Sequence, residues 1–106
     1  MTDIDLIQSI NRAIKKEFPD LKGTYFIGSR MKGKAVHQYT DYDFVFALGH
    51  KPDWREKNKL YDILAVFEVK EDIVIDGKAY DEKELKNVWT PFRNSVLNEG
   101  VFYAAG

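Results

Sequence analysis

With 106 residues, 44% of them hydrophobic and 14% aromatic, the chain can bury one modest core and is expected to form a single domain over residues 1–106. Its 16 Lys and Arg against 17 Asp and Glu leave a formal net charge of −1, which argues against the broad basic surface that holds a long polynucleotide. The lack of cysteine excludes disulfides, thiolate metal centres and a thiol nucleophile, and neither a membrane-length apolar run nor an export leader is legible, so a cytoplasmic protein is expected.

Thr2 and Asp5 make a capping-box-like start, after which Ile4, Ile7, Ile10, Ile14 and Phe18 recur every three or four residues. That spacing predicts an amphipathic helix of about four turns, stopped by Pro19. Gly23 to Gly28 encloses Thr-Tyr-Phe-Ile, a β-branched and aromatic stretch expected as a strand. From Tyr42 to Leu48, Asp43, Val45 and Ala47 alternate with Tyr42, Phe44, Phe46 and Leu48. Apolar residues on both faces place this strand centrally in its sheet. Gly49-His-Lys-Pro-Asp53 reads as a turn with Asp53 as N-cap, and Leu60, Tyr61, Leu64 and Phe67 predict a helix from Trp54 to about Phe67. Val66 to Val69 reads equally as helix end or extended chain. Asp72 to Ile75 is predicted as a third strand. Asp81 caps a helical turn through Leu85 and Val88, and Thr90-Pro91 opens a helix through Phe92, Val96 and Leu97 that Gly100 closes. Val101-Phe-Tyr103 is a short tail able to add a strand. Helices alternating with strands predict an α/β fold, a small mixed β-sheet flanked by helices.

Two features carry chemistry. Asp41 and Asp43 stand at i and i+2 of the central strand, so they share a face with carboxylates several ångströms apart. Such pairs also arise by chance, as Asp3 and Asp5 do in the first helix. Position separates the two cases: a carboxylate embedded among Phe, Val and Ala costs free energy unless it is paired or bound to a cation. Mg²⁺ prefers a few hard oxygens of this kind and leaves its other positions to water or phosphate. The second feature is the turn after the Tyr25–Ile27 strand. Gly28 lets the backbone approach a phosphate, Ser29 offers a hydroxyl donor, and Arg30, Lys32 and Lys34 add positive charge, with Gly33 helping the loop turn. Neither a P-loop nor a Gly-x-Gly-x-x-Gly is present.

Taken together, Phe26-Ile-Gly-Ser-Arg-Met-Lys-Gly33 and Thr40-Asp-Tyr-Asp-Phe-Val-Phe46 resemble the minimal nucleotidyltransferases of the DNA polymerase β superfamily. The match runs from about Tyr25 to Phe46, and Asn98-Glu-Gly-Val-Phe-Tyr103 is similar to the end of those domains. Eleven residues separate Ser29 from Asp41, one more than is common in that family, which puts an insertion around Ala35 to Gln38. The resemblance implies a polymerase β-like nucleotidyltransferase fold and a metal-dependent, pyrophosphate-releasing transfer. Gly28, Ser29, Arg30 and Lys32 would hold a nucleoside triphosphate, with ATP the expected one. Asp41 and Asp43 would hold Mg²⁺ together with a third carboxylate on a later strand. Asp76 is favoured for that place over Asp72, and its implied role includes helping to deprotonate the acceptor hydroxyl. The implied context is a toxin–antitoxin module in which the transferase adds AMP to a small all-helical HEPN partner. With no second domain, the acceptor site would come from that partner or from a homo-oligomer mate. Two alternatives stay open: a catalytically weak module that neutralises its partner by contact, and a transferase acting on a small hydroxylated molecule.

The other candidates read as ordinary. His37 is a loop residue, and His50 lies in a turn without the spacing of a zinc ligand. Trp89 and Phe92 are expected in the core, and Arg93 on the surface at a helix start.

Overall fold

The Asp5 N–H donates to Thr2 Oγ1 at 3.1 Å, and the Thr2 N–H donates back to Asp5 Oδ2 at 3.2 Å. This reciprocal cap opens helix α1 (Asp3–Glu17) in a computed structural model that describes residues 2–27, 41–87 and 90–106, and only the backbone of Asp41. The Thr2 hydroxyl first, and the Thr2 backbone N–H second, hold the Asp5 carboxyl below the usual carboxylate range. Leu6, Ile7, Ile10 and Ile14 are buried on one side of α1, while Ile4 in its first turn stays 51% exposed.

Among the described residues four strands follow: β1 (Gly23–Ile27), β2 (Asp41–Leu48), β3 (Val74–Asp81) and β4 (Val101–Ala104). They form one sheet in the order β3-β2-β1-β4, with β2 and β3 parallel and the other pairs antiparallel. The parallel pair needs a crossover, and helix α2 (Trp54–Glu71) supplies it. Asp53 caps α2 as expected, its carboxylate accepting the Glu56 N–H at 2.9 Å. Helix α3 (Glu82–Lys86) starts at Asp81, and helix α4 (Pro91–Glu99) starts at Thr90 with Pro91 in its first turn. The expected α/β arrangement, a small mixed sheet flanked by helices, is the one observed.

The alternation in β2 sorts the core into two layers. Tyr42, Phe44, Phe46 and Leu48 point to α1 and α2, where they meet Ile7, Ile10, Ile14, Leu60 and Leu64. Val45 and Ala47 point the other way, onto Leu85 of α3 and Val96 of α4. Both faces of β2 are therefore covered, as its sequence requires. Among the described residues, no helix is long and apolar enough to cross a membrane.

One open boundary is decided and another differs from expectation. Val66 to Val69 is helical, and α2 continues to Glu71. The third strand begins at Val74 and runs to Asp81, instead of covering Asp72 to Ile75. Asp72 is the C-cap of α2 in the left-handed region, at φ 53°, a conformation that Asp tolerates better than most residues. The Glu68 carbonyl accepts the Ile73 N–H at 3.1 Å, and the Glu68 carboxylate accepts the Ile75 N–H at 3.0 Å. One residue thus ends the helix and starts the strand. Continuation of β3 past Asp76 depends on Gly77, since a Cβ there would lie 2.6 Å from Leu64 Cδ1 and 3.1 Å from Phe46 Cε2.

At the far end of β2, His50 is held between two carboxylates. Its Nδ1 bonds Asp20, and its Nε2 lies 2.7 Å from Glu56 Oε2. A neutral imidazole has one N–H, so only the imidazolium satisfies both partners. The Asp20 bond first, and the Glu56 bond second, push the His50 pKa up from its ordinary value. The stabilisation is complete below the unfolded-state value of about 6.5 and is lost as pH rises through the raised folded value. His50→Gln should therefore lower the thermal midpoint most near pH 6 and progressively less toward alkaline pH. A wild-type-minus-variant difference that stays flat across this range would falsify the clasp.

Candidate functional site

β2 owes its central place to apolar side chains on both faces, and Asp43 interrupts that pattern. It lies on the face of Val45 and Ala47, and it is half-buried. The register then decides what stands next to it. Asp43 pairs with Asp76 of β3, Val45 with Lys78 and Ala47 with Tyr80. Paired residues of neighbouring strands present side chains on the same face, about 4.8 Å apart in the backbone. Two carboxylates thus stand side by side, contributed by residues 33 positions apart in the chain. Asp76 is exposed, and its Oδ2 lies 3.5 Å from Lys78 Nζ.

Like charges at adjacent cross-strand positions repel, so this pair is not one that sheet stability alone would select. Its donors are hard oxygens, the kind that Mg²⁺ takes; the described residues offer no thiolate and no group of three or more His, Cys, Asp and Glu placed to hold a metal ion. The carboxylate pair therefore suits a hard divalent cation in donor type. Asp41 opens β2 opposite Val74, two residues before Asp43. Asp72, the other candidate for a third acid, lies outside β3 at the end of α2.

The end of the sheet where these acids stand is also where the chain leaves β1. Ile27, the last residue of that strand, is the register partner of Asp43. The chain then returns at Asp41. Gly28, Ser29, Arg30 and Lys32, expected to hold phosphate, lie outside the described residues, as do Gly33, Lys34, His37, Val88 and Trp89.

Phe92 packs beside Tyr80, ring centroids 6.4 Å apart, against the core layer of Val45 and Val96, as expected. Arg93 is mostly buried, unlike the surface residue its position predicted. Its guanidinium lies 3.8 Å from Glu84 Oε2 and over the Tyr80 ring. Lys78 and the His50 clasp were not legible beforehand. Lys78 follows the predicted strand's end at Ile75, and Asp20 is 30 residues from His50.

No protein-family model and no curated protein sequence matches the chain. Among solved structures, it is similar to a chain of the crystal structure of a toxin–antitoxin with AMP-PNP. The TM-score is 0.68 at 17% identity, over 95% of this chain and 72% of the other. At that identity the likeness is one of fold, a small α/β architecture with a mixed sheet flanked by helices.

Proposed function

We propose that the chain is a Mg²⁺-dependent nucleotidyltransferase that moves AMP from ATP to a hydroxyl on a partner protein, as the antitoxin of a toxin–antitoxin pair. The observation that carries this reading is the Asp43–Asp76 register on the central strands. The resemblance of Phe26–Gly33 and Thr40–Phe46 to minimal nucleotidyltransferases supports it. So does the fold likeness to a toxin–antitoxin structure with AMP-PNP, an ATP analogue.

In this reading Asp41, Asp43 and Asp76 hold Mg²⁺, while Gly28, Ser29, Arg30 and Lys32 hold the triphosphate. The cation supplies charge neutralisation at the phosphates when bound. The acceptor oxygen attacks the α-phosphorus, and a new O–P bond forms as the bond to pyrophosphate breaks. The hydroxyl proton passes to Asp76, and pyrophosphate leaves. Catalysis is mostly orientation and electrostatic stabilisation, which suits a domain this small. In this reading a small helical protein of HEPN type, or a second copy of the chain, completes the acceptor site. Exposed Trp54, Tyr61, Val66 and Val69 along α2 favour a protein partner over a small-molecule acceptor.

The test is incubation with α-labelled ATP, Mg²⁺ and a small helical protein of HEPN type. Label is expected in the partner together with released pyrophosphate. No label would overturn the transferase reading. If the Asp41→Asn/Asp43→Asn double variant neutralised the partner as well as wild type does, a contact-only module would replace it.

A further inference from the structure

Lys78 is a cation on the face of the carboxylate pair. It stands two residues beyond Asp76 on β3, and its register partner Val45 stands two beyond Asp43. Its ammonium has two partners at once. One is the Asp76 carboxylate, with Nζ 3.5 Å from Oδ2. The other is the ring of Phe92, whose centroid lies 5.2 Å from the same nitrogen. The flexible four-carbon stem joins them without moving the backbone, and the Phe92 ring is fixed against Tyr80.

From this arrangement we infer that Lys78 is an internal competitor for the divalent cation. It caps the Asp76 carboxylate while the metal is absent and, when the metal binds, gives up Asp76 and keeps the Phe92 ring. The inference rests on the metal-binding reading above. The competition has two uses. Neutralising one acid relieves the repulsion between Asp43 and Asp76 in the metal-free protein. The aromatic face then keeps the displaced ammonium beside the site without an anion, through its negative quadrupole. Lys78 is thus a positioning residue, acting through Asp76 and not on the reacting atoms.

Mn²⁺ titration by calorimetry, together with NMR of the lysine side chains, tests this. Lys78→Met keeps the length of the stem and removes the charge, so Mn²⁺ affinity should rise roughly two- to fivefold, the scale of an exposed ion pair. Lys83→Met, on α3, removes the same charge elsewhere and should change affinity less. With diamagnetic Mg²⁺, the Lys78 ε-methylene resonance should move further upfield as the ammonium leaves Asp76 and closes on the Phe92 ring, and Phe92→Leu should abolish that movement. If wild type binds Mn²⁺ but Lys78→Met binds it no tighter and the resonance stays still, the role of Lys78 is overturned and the metal site survives. If neither wild type nor Lys78→Met binds Mn²⁺, the metal reading falls and the competition falls with it.

Discussion

Asp43→Asn should cut AMP transfer by about a hundredfold or more, the scale on which losing one group that stabilises transition-state charge is felt. The substitution keeps the shape of the side chain and removes the anion that holds a hard cation. Its effect on the fold should stay within about 1 kcal/mol, because one member of a like-charged cross-strand pair is neutralised and no apolar contact is lost. Thermal denaturation monitored beside the labelled-ATP assay separates the two effects. Asp76→Asn should reproduce the same pattern, since Asp76 is the register partner of Asp43. Asp72→Asn is the contrast. Asp72 caps α2 outside β3, and Asn also tolerates the left-handed conformation, so both transfer and stability should stay near wild type. Full transfer by Asp43→Asn would reject the mechanism, and loss of transfer on changing Asp72 would move the third acid there.

Much of the fold was legible because its local signals agree with its packing. Thr2, Asp53, Asp81 and Thr90 all act as N-caps where the pattern placed them, and the β2 alternation sorts the residues of the two core layers correctly. The third strand was misplaced because its causes are tertiary. Gly77 weakens any local strand signal, yet it is needed where β3 runs over Leu64 and Phe46. Ile73 looks like strand, while the Glu68 carbonyl and carboxylate end the helix and delay the strand.

The candidate site divides in the same way. Asp43 stood out locally as a carboxylate inside an apolar strand. Its proximity to Asp76 is a matter of register between parallel strands joined by an 18-residue helix, and nothing in the local pattern of either strand fixes that register. Extending β3 to Asp81 is also what brings Lys78 onto the carboxylate face, so its absence from the sequence reading follows from the same shortened strand.

Phe46→Ala carries the largest stability effect. Phe46 is fully buried at the centre of β2, with the Phe44 ring centroid 6.2 Å away and Gly77 of the neighbouring strand against its edge. Truncating a buried Phe costs about 3–5 kcal/mol, the lost transfer energy plus the cavity left behind. Gly77 has no side chain with which to fill that space, and the backbone of a central strand cannot shift without disturbing both neighbours. The cost should therefore sit toward the upper end, a large share of the roughly 5–15 kcal/mol that holds such domains folded. The thermal midpoint should fall by at least about 12 °C. Phe102→Ala is the control. Its ring touches Tyr25 at 4.8 Å between centroids but is 42% exposed on edge strand β4, so it should cost clearly less. Phe46 faces α1 and α2 while Asp43 faces the opposite side of the same strand. Transfer per folded molecule should consequently persist in Phe46→Ala at low temperature, the reverse of the Asp43→Asn result. Equal midpoints for Phe46→Ala and Phe102→Ala would mean that the β2 core does not carry the stability assigned to it.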